Sequence, residues 1–186
     1  MFGMTTRQPP CDNARLVSQP AMSSPSDPQD LSATQRWVRP GTSADALALD
    51  TWLMRRAPLA VPEMRARRLS LDALLEQGGH GICLIGGTNA VRATFDCLLP
   101  VTLIHSLSTG GRVAMVAEWC PPAALPGVWL GLCCAVLADW CRAHGIRRIS
   151  MAPGLVSDAG KAPEGFQPDP TGLWVRNLVP TPKQLG

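Results

Sequence analysis

A chain of 186 residues with a formal net charge of +3 and 17% charged side chains is long enough to bury one core and too weakly charged to hold nucleic acid by its overall field. Its seven cysteines are an odd number, six of them in apolar stretches and none in a C-x-x-C pair, which favours reduced, buried thiols over a disulfide framework and implies a reducing compartment. The first residues lack the continuous apolar core that a signal peptide needs and no run approaches a membrane span, so the expectation is a soluble, cytoplasmic protein without a membrane partner.

Residues 1–34 are rich in Pro, Ser, Gln and Asp and cannot bury enough surface to offset their ordering entropy, which predicts a disordered tail; starts at Met4 or Met22 would serve the following domain equally. The domain is expected over 35–180, with 181–186 as a second tail. It opens with a short strand at RWVRP, after which Thr42 or Ser43 caps a helix carrying Leu47, Leu49, Trp52 and Leu53. A second helix is predicted from Pro62 to Gln77, with Met64, Leu69, Leu71, Leu74 and Leu75 inward and Arg65, Arg67 and Arg68 outward. Those arginines form either a solvated face or a site for an anionic acceptor.

Beyond Gly78-Gly79 the pattern turns to strands. Gly81 to Ile85 and Ala90 to Leu99 are predicted strands joined by a hairpin turn at Gly86-Gly87-Thr88-Asn89, and a looser connection follows through His105, Ser108 and Thr109-Gly110-Gly111. Val113 to Cys120 is a nearly unbroken apolar run, expected of a strand buried on both faces, and Pro121-Pro122 stops it. From Gly127 to His144 apolar residues recur at helical spacing, at Trp129, Leu132, Cys133, Val136, Leu137 and Trp140, with Gly145 as the cap. Arg147 to Ala152 reads as a strand, Pro153 to Pro163 as irregular, and Gly165-Phe166 with LWVRNLV as a final strand pair. This order predicts an α/β (α+β) chain: a mixed sheet with helices on both faces.

The candidate site is the loop from Pro122 to Leu130, where a helix N-terminus offers free N–H groups to an anion. Glu118 is the one carboxylate on the central strand; a partly buried setting would suit it to act as a base, and an ion pair with Arg92 or Arg112 is the structural alternative. Asp96 and His105 are second candidates for the same role. Cys120 is either a nucleophile or a small core residue, and Cys141 with His144 either half of a metal site or structural, with no further ligands recognisable. Trp129 and Trp140 read as helix core; because Leu130, Cys134, Ala135 and Ala138 make the helix apolar nearly all round, a homodimer patch is the alternative.

In order and spacing, VRPGTSADALAL, GGRVAMVAEWCPP, LGLCCAVLADWCRAHGIRRI, EGFQPDP and LWVRNL resemble the GNAT superfamily of acyl-coenzyme A-dependent N-acetyltransferases, from about Arg36 to Val179. The resemblance implies a mostly antiparallel mixed sheet with a splayed central strand pair. It also implies acetyl-CoA as co-substrate, with no metal, and a small-molecule or protein amine as acceptor. Glu118 would be the base, with CoA held by Trp119, Cys120, Leu125, Gly127, Val128, Trp129, Leu130 and Gly131. The family's loop reads Arg or Gln, two residues, Gly, one residue, Gly or Ala; those places fall here on Leu125, Val128 and Leu130, or one residue on, on Pro126, Trp129 and Gly131. The family's Tyr general acid has no counterpart in a chain without tyrosine, and Lys161 stands near its place. The other readings are a non-catalytic relative that binds a metabolite or protein and, in a third class, a protein like the acyl-homoserine-lactone synthases.

Overall fold

Seven strands pair into a single sheet in the computed structural model, which describes residues 35–88 and 94–178. Both expected tails, and the start of the strand expected at Ala90, lie outside the described residues. In chain order the strands are β1 (Trp37–Pro40), β2 (Gly81–Gly87), β3 (Cys97–Ser106), β4 (Gly111–Val116), β5 (Arg148–Met151), β6 (Gln167–Pro168) and β7 (Trp174–Asn177). Their order across the sheet is β1-β2-β3-β4-β5-β7-β6, and every pairing is antiparallel except that of β4 with β5. The predicted mixed sheet is therefore present, with its one parallel pair at the centre.

Two helices cover each face. On one side lie α1 (Ala46–Arg56) and α2 (Val61–Leu75), whose Leu49, Trp52, Leu53, Leu71 and Leu75 pack with Cys83, Ile85 and Leu98 of the sheet. On the other lie α3 (Pro126–Ala143) and α4 (Pro153–Ala159), where Trp129, Leu130, Cys133 and Leu137 meet Ile82, Leu84, Leu99, Val101 and Ile149. Alternate residues of β2 thus enter opposite cores, which is why that strand is apolar throughout. Approach to α3 is close: a Cβ on Gly86 would sit 2.8 Å from the Trp129 ring. At the entrance to α1, a 3-10 turn at Ser43–Asp45 is fixed by a capping box, with the Thr42 N–H donating to Asp45 at 2.8 Å. Arg39 adds two bonds to the same carboxylate, at 2.7 and 2.8 Å.

Several elements differ from expectation. Leu47 and Leu69 are 73% and 72% exposed; each lies two residues before a buried leucine, about 200° round the helix from it. Trp140 is only half-buried and stacks on His144 at 4.0 Å, because the inward stripe of α3 runs through Trp129, Leu130, Cys133, Cys134, Leu137, Ala138 and Cys141 and leaves Trp140 at its edge. The segment read as irregular contains α4. Its Pro153 is the N1 proline of a helix and Gly160, at φ 76°, its left-handed cap, so two apparent breakers are helix ends. His105 belongs to β3 rather than to a loop, and β4 ends at Val116, four residues before the expected Cys120. Among the described residues no helix is long and apolar enough to cross a membrane.

Candidate functional site

The early end of β4 has a definite cause. Register with β3 runs from Ser106↔Gly111 to Thr102↔Met115, and pairing resumes at the bridge Leu98↔Cys120. Four residues of β3 therefore face five of the β4 segment, a one-residue bulge. Cys120 is held to β3 by reciprocal bonds, its N–H donating to the Leu98 carbonyl at 2.9 Å and its carbonyl accepting from the Leu98 N–H at 3.2 Å. On the other flank β5 follows β4 only to Val116↔Met151; the Ala152 N–H still donates to the Val116 carbonyl, and the chain then turns into α4. The β4 segment stays with β3 while β5 departs. A splayed pair results, and Ala117, Glu118 and Trp119 make no backbone hydrogen bond among the described residues. Trp119 is buried with the α3/α4 core, yet its indole Nε1 has no acceptor.

The loop after the splay carries the α3 N-terminus. Leu125 is its N-cap in the left-handed region, φ 55° and ψ 47°, a conformation costing a non-glycine residue about 1–2 kcal/mol. Its carbonyl accepts from the Val128 and Trp129 N–H groups, whereas those of Ala123, Ala124, Leu125 and Gly127 find no backbone partner among the described residues. Pro126 at N1 has no N–H to lose. Gly127 is there for space: a Cβ would lie 2.6 Å from the Ala159 carbonyl at the end of α4. The remaining loop candidates divide by side-chain position. Val128 is 47% exposed, Trp129 and Leu130 are buried in the core, and Gly131 is half-buried in the second turn. The Trp129 ring thus turns away from the loop and into the sheet.

Glu118 stands exposed on the bulge, not in the partly buried setting expected, because the strand that would have covered it has left. The alternative pairing with Arg112 is ruled out by distance, since Arg112 lies six residues back along β4, about 20 Å at the rise of a strand. Arg92 is outside the described residues. Asp96 is near this end of the sheet and accepts a hydrogen bond from Thr88 at 2.8 Å. His105 pairs with Arg112 at the opposite end of β3, seven residues or about 24 Å from Leu98, and does not share a site with Glu118. Cys141 is buried, and no group of three potential metal ligands occurs among the described residues.

Cys120, half-buried on the α1/α2 side, lies in a basic setting that the sequence did not reveal. Burial pushes its thiol pKa up, opposed by the charges of Arg56 and Arg67 and reinforced by Glu118. Arg56 donates to the Pro121 carbonyl and lies 4.8 Å from the centre of the Trp52 ring. Arg67 donates from Nη1 to the Ala57 carbonyl at 2.8 Å, while its Nε and Nη2 are buried without partners. The three arginines of α2 therefore have different roles: Arg68 pairs with Asp50 and Asp72, Arg65 is exposed, and Arg67 reaches the end of α1. The only signal for this was their clustering, because which one turns inward depends on where the α1 carbonyls lie.

No family model matches the chain, and no curated protein does. Solved structures do. A GNAT family N-acetyltransferase from Escherichia coli in complex with CoA is similar over 79% of this chain and 83% of its own, with 16% identity and a TM-score of 0.54. An integron cassette protein from the mobile metagenome of Cole Harbour Salt Marsh covers 69% of this chain and 84% of its own, at 21% identity and a TM-score of 0.53. A predicted acetyltransferase with acetyl-CoA from Clostridium acetobutylicum covers 69% and 90%, at 10% identity and a TM-score of 0.51. The chain has the GNAT fold.

Proposed function

We propose that this protein is an acyl-CoA-dependent N-acyltransferase that moves an acetyl group from acetyl-CoA to a primary amine. The observation that carries the reading is the splay: β4 keeps its pairing to β3 through a bulge while β5 leaves, exposing the backbone of Ala117 to Trp119 at the sheet centre. An amide-bearing pantetheine arm can pair with that backbone as a strand would. The unpartnered N–H groups of Ala123, Ala124, Leu125 and Gly127 suit a pyrophosphate, and they do so without the family's glycines because the contacts are to backbone. Val128, at one of the family's glycine places, does not obstruct this, since its side chain is exposed.

In the reaction the amine nitrogen attacks the thioester carbonyl carbon, and charge develops on the carbonyl oxygen, where a free N–H of the bulge would stabilise it. The carbon–sulfur bond then breaks. Glu118 takes the amine proton, directly or through water, and the CoA sulfur leaves as a thiolate that is protonated from solvent. Exposure of Glu118 on the bulge leaves it open to an incoming amine. Titration of the full chain with CoA in a calorimeter tests the reading: saturable one-to-one binding is expected, and absence of any heat or thermal stabilisation by CoA would reject it.

A further inference from the structure

We infer that Arg67 and Arg56 form a carboxylate site beside Cys120 at the end of β4, so that the amine acceptor of the proposed acyltransferase reaction carries a free carboxylate. The inference rests on that reading for the word acceptor, and on geometry for the site. With Nη1 spent on the Ala57 carbonyl, the unpartnered Nε and Nη2 of Arg67 form one edge of the guanidinium, two parallel donors matched to the two oxygens of a carboxylate. Buried N–H groups without acceptors cost desolvation that nothing in the protein returns. Arg56 is fixed by its bond to the Pro121 carbonyl and by Trp52, so its charge is directed at the same segment. Arg67 bonds to Ala57, the residue after Arg56, and Arg56 bonds to Pro121, the residue after Cys120, so the two hydrogen bonds bring both arginines to one segment. Neither pairs with a carboxylate of the chain among the described residues, whereas Arg68, the next residue to Arg67 on α2, does. Glu118 lies two residues before Cys120 on the same segment, which brings the proposed base and the anion site to the chain just after β4. The paired donor edge matches the two coplanar oxygens of a carboxylate, and inorganic phosphate is the competing anion that the test separates.

The test is calorimetric binding of N-acetyl derivatives of the standard amino acids, as product probes, against the matching carboxamides, on the full chain with CoA present. At least one acid is expected to bind at least 10-fold more tightly than its amide. That preference should vanish in Arg67→Gln and weaken in Arg67→Lys, which keeps the charge but loses the paired donors. Thermal melts and CoA affinity should match the parent protein in at least one variant. Acids binding no better than amides, no acid binding at all, a preference that survives both substitutions, or inorganic phosphate displacing the acids more strongly than they displace one another would each overturn the site. Binding of CoA without acid preference rejects only the carboxylate, while acid preference without CoA binding rejects only the transferase.

Discussion

Asp45 shows how a single residue sets local stability. Its carboxylate accepts from Arg39 and from Thr42, and these bonds, Arg39 first, hold its pKa at about 2. Because the folded pKa is depressed, the stabilisation is present above the unfolded value of about 4 and is lost as pH falls toward 2. After allowance for solvent screening, Asp45→Asn should cost about 1 kcal/mol at pH 7 and flatten the pH dependence of urea stability in that window; an unchanged profile would mean that the Arg39 pair contributes nothing. Glu118 is the residue on which turnover depends. Glu118→Gln should lower kcat by ~10²-fold with CoA affinity intact, measured by thiol release, and an unchanged kcat would move the proton to water or Asp96. The arginines were legible as a cluster but not as individuals. Helical spacing places Arg65, Arg67 and Arg68 within one turn, but the partner of each is set by side chains of α1 that sequence distance does not order.

Among the elements, α3 was the easiest to read and its edge the hardest. Apolar spacing located the helix to within a residue at each end, yet Trp140 looked like core when it stacks on His144 at the rim. Side-chain size does not say where an apolar stripe stops. Leu137, wholly buried, and Leu132, 38% exposed, give the contrast that tests this orientation. Leu137→Ala should cost about 2–5 kcal/mol and Leu132→Ala under about 1 kcal/mol in denaturant melts, and equal losses would mean α3 is rotated. Gly127→Ala tests its junction with α4, where the added methyl meets the Ala159 carbonyl; a loss of about 1–3 kcal/mol is expected. The bulge of β4 was illegible as such. Nothing in VAEWC marks which residue is the extra one, because the count appears only when β3 is laid alongside.

For the whole molecule, the order of elements other than α4 was readable because each of them bears its own punctuation, and the resemblance to GNAT proteins supplied the splay before the register explained it. The degenerate loop left its chemistry unread, since sequence shows side chains and the loop offers backbone. Trp129, at one of the family's small-residue places, packs on β2 and not against the loop, so its replacement would test the core rather than the loop. Val128 is the position that separates the two. It is exposed in the first turn of α3, where a glutamate suits the helix end but opposes a bound pyrophosphate. The most direct measurement is therefore CoA affinity of Val128→Glu beside its melting temperature. The account predicts affinity lowered at least 10-fold with the melting temperature held or raised, and it is contradicted if CoA binds both proteins equally.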